Sequence, residues 1–152
     1  MATNLPDIFT DSDAARAYLE AQGQRLGLSP VSWLEIAESP AATPERRKHE
    51  EAAGLGKLTR QAEAMIALDR GGRSITSDGF ARLLAKLRDD GTKVAAFAIG
   101  GPDGLSRELL AAARHTLAFG AMTLPHQLAR IILVEQLYRA STILAGHPYH
   151  RS

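Results

Sequence analysis

The chain has no cysteine, which excludes disulfide bridges and every zinc site built on thiolates. It has no apolar run near the ~20 residues that a membrane-spanning helix requires. Residues 1–10 show neither the basic n-region nor the apolar h-region of a secretory signal, so a cytoplasmic protein without membrane attachment is expected. A dominant charge is missing as well. The 18 Lys and Arg against 17 Asp and Glu leave +1 with histidines neutral. A free-standing nucleic-acid binder is usually far more basic. If RNA is the substrate, positive charge must be local or come from pairing two subunits. No internal repeat or low-complexity tract is evident.

What is present fits one domain. At 152 residues with 45% hydrophobic composition, a chain of this size buries roughly 70% of its unfolded surface. Helical and strand patterns alternate along it. Residues 11–26 carry apolar positions at helical spacing, with Ser12 as N-cap and Gly27 as stop. Residues 31–37 read as a strand. Pro40 and Pro44 bracket a linker, and a charged helix follows over 44–64, with Gly54 and Gly56 marking a candidate break. Residues 64–68 read as a short buried strand ending in a turn-prone 69–73 loop. A helix is expected over 76–88 with Ser77 as cap. A strand covered on both faces is expected over 94–99, a short helix over 105–114, a strand over 116–122 and the longest helix over 125–145. This β-α-β-α-β-α order implies an α/β fold, a parallel sheet flanked by helices. Ligands in such sheets bind beyond the carboxyl ends of the strands. The loops after Leu68, Ile99 and Ala121 lie there.

Three segments carry chemistry. The first is Gly100-Gly101-Pro102-Asp103-Gly104. Its G-G-x-x-G spacing is neither a dinucleotide fingerprint nor a P-loop. It is a tight strand-to-helix turn or a wall where backbone approaches a ligand. The second is Phe119-Gly120-Ala121-Met122-Thr123-Leu124. A small-residue bend beside apolar side chains suits an adenine ring, whose edge backbone amides and carbonyls can satisfy. The plainer alternative is a core strand entering a helix. The third is the end of the chain, where Tyr149, His150 and Arg151 follow a helix that is apolar around most of its circumference. They form either a substrate-facing tail or an ordered, inert terminus. Within that helix Glu135 and Arg139 stand at i,i+4 and can pair. His126 reads as a helix-starting residue. His126, His147 and His150 lack a cysteine partner or a His-x-x-x-His pair, so no metal is expected.

Ala98-Ile99-Gly100-Gly101-Pro102-Asp103-Gly104-Leu105-Ser106, Met122-Thr123-Leu124-Pro125-His126 and Gly146-His147-Pro148-Tyr149-His150-Arg151-Ser152 together resemble the ribosomal RNA large subunit methyltransferase H family. These SPOUT-class enzymes methylate a pseudouridine of 23S rRNA. The resemblance covers roughly Leu68 to the end. It implies a single SPOUT domain over 1–152, a C-terminal trefoil knot and a homodimer built on the last helix. It implies S-adenosylmethionine bound by Leu68, Gly100, Gly101 and residues 119–124: Phe119, Gly120, Ala121, Met122, Thr123 and Leu124. It implies a substrate end formed by Arg139, Tyr149, His150 and Arg151, and methylation of pseudouridine N3 in 23S rRNA within the 70S ribosome, with neither DNA nor membrane as partner. Residues 1–10 depart from the family, which opens with an apolar strand and a basic loop. Here that segment contains Pro6 and no Lys or Arg. The rival expectations are a non-catalytic dimer of the same fold that has lost RNA binding, and a SPOUT methyltransferase acting on another nucleotide.

Overall fold

The structure, a computed structural model, describes Ala17 and residues 34–149. The chain divides into two compact units. One joins Leu87–His126 to the described part of Trp33–Ile75, and the other joins Thr76–Lys86 to the described part of Gln127–Ser152. The expected helix over 11–26 lies outside the described residues except for Ala17, which is helical. Residues 1–10 and 31–33 also lie outside them.

In the first unit, residues 34–37, the described part of the strand expected over 31–37, are irregular: Leu34 is exposed and Ile36 lies against the helix that follows rather than in a sheet. Helix α1, Pro44–Leu58, starts at Thr43, whose hydroxyl accepts from the Arg46 amide, and has proline in its first turn. It runs unbroken through Gly54 and Gly56. A Cβ on Gly54 would stand 3.1 Å from Ile36 Cγ2, so the glycine lets Ile36 lie close against the helix. The helix ends at Leu58, short of the expected 64, where the Thr59 amide and hydroxyl both donate to the Leu55 carbonyl.

Strands β1 (Ala64–Ser74), β2 (Ala95–Ile99) and β3 (His115–Ala118) form a parallel sheet in the order β2-β1-β3. The central strand is the most buried: Ala64, Ile66, Ala67 and Leu68 of its first half are all in the core. Helix α3, Arg107–Ala112, packs on β1 and on α1. Ala67, Ala98, Leu105 and Leu109 make the core of this unit, and Ala52 and Leu55 of α1 close over it.

The strand ends correct the sequence reading. The expected 69–73 loop is a bulge within β1: Leu68 and Arg73 both register opposite Leu117, and the strand runs on to Ser74. Glycine makes this fit, since a Cβ on Gly72 would come within 2.6 Å of the Leu117 carbonyl carbon. Strand β2 is covered less than expected. Only Ala98 is buried in it, because it stands at the end of the described sheet. Strand β3 stops at Ala118, before the expected 122. Gly120 there has φ +132, outside the extended conformation of a strand. Helix α3 is shorter than the expected 105–114 because Ser106 caps it, accepting from the Leu109 amide at 3.1 Å, while Leu105 joins the core.

In the second unit, α2 (Ser77–Asp89, of which residues 77–86 belong here) is capped by Thr76, one residue before the expected Ser77. The Thr76 hydroxyl accepts from the Gly79 amide at 3.0 Å, which frees the Ser77 hydroxyl to donate to Gln136 Oε1 at 2.7 Å. Helix α4, His126–Leu144, matches its expected span to within a residue at each end. Its buried positions (Ala129, Ile131, Leu133, Val134, Leu137, Tyr138 and Ala140 among them) cover more than half of the circumference, and Ile132, Glu135, Gln136, Arg139 and Ile143 on the remaining face are half-buried.

Candidate functional site

The register of the sheet gathers the first group of candidate residues. Ile99, Leu68 and Leu117 form one row across β2, β1 and β3. Gly100 therefore leaves the sheet beside Leu68 on one side, and Phe119 leaves it two residues beyond Leu117 on the other. Leu68 itself is buried in the core. The 69–72 bulge stands at the same carboxyl ends.

Gly100 needs its missing side chain: a Cβ there would lie 2.7 Å from the Gly104 carbonyl carbon. The turn between them is closed by the Gly104 amide donating to the Gly101 carbonyl at 3.0 Å, with Pro102 second in the turn and Gly104 at φ +81. Asp103 at its tip is clamped by Arg47 of α1: Nε donates to Oδ2 at 2.6 Å and Nη2 to Oδ1 at 3.2 Å. The Arg47 guanidinium holds the Asp103 carboxyl below the usual carboxylate range, against a smaller opposing effect of burial. Gly100 and Gly101 are thus part of a braced turn.

Residues 119–124 form an open segment between β3 and α4. Phe119, Ala121, Met122 and Thr123 are exposed, Met122 by 82%, while Gly120 and Leu124 are half-buried. A Cβ on Gly120 would meet nothing within 4 Å, so the backbone there faces open space. Two residues of the β1 bulge reach toward these loops, and sequence reasoning missed both. The Arg70 guanidinium donates to the Thr123 hydroxyl at 3.4 Å. Asp69 accepts from the Gly71 amide at 2.8 Å, and its other oxygen lies 3.8 Å from the Cβ position of Gly104. The Asp-x-Gly order just after an apolar run was the available signal, since such an aspartate turns the chain through its own side chain. Apolar side chains beside open backbone at Gly120, with a carboxylate close to the opposite turn, fit an adenosine-type ligand that carries a cationic end.

The second group lies in the second unit. Helix α4 ends in a Schellman turn: the Gly146 amide donates to the Ile143 carbonyl at 3.2 Å and the His147 amide to the Thr142 carbonyl at 2.9 Å, with Gly146 at φ +68. The turn reverses the chain and returns Tyr149 to α4. Its ring meets Tyr138 edge-on, 4.7 Å between centroids at 74°, and the Arg139 guanidinium carbon lies 5.4 Å from its centroid. The expected Glu135–Arg139 pair is formed. Gln136 donates to the second Glu135 oxygen at 2.6 Å. Burial first, then the Glu135 charge, pushes the Tyr149 phenol above its ordinary range, and the hydrogen bond to Glu135 raises Arg139. Arg139 is thus a cation and Tyr149 a neutral phenol. Tyr138, the ring on which the tail rests, was not singled out from sequence, because its partner is brought to it by the turn alone. His150 and Arg151 lie outside the described residues. His126 opens α4. Among the described residues no three His, Asp or Glu side chains gather as a metal site, and no helix is long and apolar enough to cross a membrane.

The model of a family described as predicted SPOUT methyltransferase matches residues 10–150 of the chain. Among curated proteins, the ribosomal RNA large subunit methyltransferase H of Rhizobium meliloti (strain 1021) is 48% identical over 145 residues, 93% of this chain and 91% of that protein. The protein of the same name from Nitrobacter hamburgensis is 46% identical over 140 residues, 92% of this chain and 88% of its own. That from Bradyrhizobium diazoefficiens is 48% identical over 130 residues, 86% and 81%.

Proposed function

The chain belongs to the SPOUT methyltransferase family, and from that membership we propose that it transfers a methyl group from S-adenosylmethionine to N3 of a pseudouridine in 23S rRNA on the assembled 70S ribosome. The observation that carries this reading is the likeness of nearly the whole chain to relatives named as large subunit rRNA methyltransferases. The working form is a cytoplasmic homodimer of single-domain, knotted subunits.

When bound, the donor supplies an electrophilic methyl on a sulfonium. The chain's part is to hold and orient. Leu68, Gly100 and Gly101 line one side of the donor position, and Phe119, Gly120, Ala121, Met122, Thr123 and Leu124 the other. Bare backbone at Gly120 meets the adenine edge and the apolar side chains its faces. Asp69, whose carboxylate lies beside the Gly104 turn, would face the cationic end.

At the substrate end, N3 must lose its proton before it can accept a methyl. Tyr149 does not take that proton, since its phenol is itself held protonated. It stacks on the base or donates a hydrogen bond to it. His150 is the group suited to remove the proton, since histidine is the side chain whose unperturbed titration lies nearest neutral pH. Arg139 and Arg151 stabilise the imide anion that results, and either can also hold a phosphate.

The test is labelled donor incubated with the enzyme and one of two substrates, 70S ribosomes that lack the modification or protein-free 23S rRNA. Label is expected in the rRNA of the ribosome sample and not in the free RNA. Label confined to the free RNA, or absent from both with folded enzyme present, would overturn the reading.

A further inference from the structure

Helix α1 carries the run Arg46-Arg47-Lys48-His49, and its arginines do different things. Arg46 pairs with Glu50 one turn along its own helix, with its side chain 74% exposed. Arg47 instead leaves the helix for a residue 56 positions away in sequence. Three of its five donor hydrogens are engaged: Nε and Nη2 on the two oxygens of Asp103, and Nη1 on the Ala41 carbonyl at 3.0 Å, in the segment leading into α1. A planar fork used in this way fixes the direction of the carboxylate as well as its distance.

Asp103 stands inside a turn that has little slack. Gly100 and Gly104 touch backbone to backbone, and Gly101 and Gly104 pair across the turn. Moving Asp103 therefore moves the peptide planes of Gly100 and Gly101. The apolar anchors of α1, Ala52 and Leu55, lie in its carboxyl-terminal half. No residue of the helix is fully buried, in either half, so the Arg47 clamp is a specific tie from its amino-terminal half to the 100–104 turn.

We infer that Arg47 is a positioning residue for the methyl donor: by clamping Asp103 it sets the 100–104 turn in the form that receives the donor. The inference rests on the reading of that turn as a donor wall. Arg47 touches neither donor nor RNA in this role and acts through Asp103.

The test is calorimetric binding of S-adenosylmethionine, with steady-state methyl transfer beside it, on the full chain. Wild type binding the donor is the condition of the donor-wall reading; if wild type does not bind, that reading fails and this inference with it. Given that binding, Arg47→Lys, Arg47→Met and Asp103→Asn should each weaken the donor about tenfold, and Arg47→Met/Asp103→Asn should be no worse than either single change. KM for the donor should rise while kcat changes little. Arg114→Met provides the control. It removes the Arg114–Asp90 pair, 3.0 Å long and on the amino-terminal side of β3, and should leave donor binding unchanged. Circular dichroism and thermal unfolding identify any variant that fails to fold, and Arg47→Lys keeps the charge if Arg47→Met does not fold. Unchanged donor affinity in folded Arg47 variants would overturn the inference. So would additive losses in the double variant, or an equal loss in Arg114→Met.

Discussion

At the scale of single residues, much of the candidate site is glycine backbone. Gly120 holds φ +132 with open space where a Cβ would stand, so Gly120→Ala meets no clash but must take a conformation L residues avoid. It should cost about 1–3 kcal/mol of stability, measured by urea unfolding, and weaken donor binding along with it. Asp103 makes a prediction in pH. Its folded carboxyl sits below the ordinary value because the Arg47 guanidinium hydrogen-bonds it. Its contribution is therefore fully present above the unfolded value near ~3.9 and is lost as pH falls through the lower folded value. Urea midpoints followed from neutral pH into the acid range should converge for wild type and Asp103→Asn, with wild type the more stable at the neutral end. The residues of this turn were legible in the sequence as a glycine-rich loop. Their brace was not, because a contact spanning 56 positions leaves no local pattern.

At the scale of elements, the sequence revealed kinds and order better than ends. The alternation of apolar runs and amphipathic stretches located three strands and the helices between them. It misread 69–73, because Asp-Arg-Gly-Gly is the composition of a turn and equally of a bulge. What decided between them was the room that Gly72 gives against Leu117, a tertiary fact. The two glycines of α1 suggested a break for a similar reason, yet Gly54 is there to admit Ile36. The tail shows the opposite case. Gly146 after a long helix is a legible stop, and the Schellman turn it makes returns Tyr149 to Tyr138 and Arg139. Gly146→Ala places a Cβ at φ +68, at a cost of roughly 1–2 kcal/mol. Loosening the return of Tyr149 should lower kcat for methyl transfer and leave the donor dissociation constant near its wild-type value. An equal loss in both would remove the tail from the substrate end.

At the scale of the whole molecule, a net charge of +1 sets the problem that the proposed function must solve. The basic run on α1 does not solve it alone, since Arg46 and Arg47 are both in ion pairs. Two subunits acting together on a substrate already folded into a ribosome need less charge of their own than a binder of free RNA. Helix α4, whose face with Leu128, Ile132 and Ile143 is not buried within the subunit and which leaves Leu144 exposed at its end, is the element proposed to join them. Sedimentation equilibrium should give twice the chain mass at micromolar concentration, and a monomer would remove the dimer from the account. The central claim is the product. 23S rRNA from modification-deficient 70S ribosomes, treated with the enzyme and S-adenosylmethionine, should be digested to nucleosides and analysed by mass spectrometry against standards. The account predicts one new nucleoside, N3-methylpseudouridine. A methyl group on any other nucleoside, or none, would contradict it.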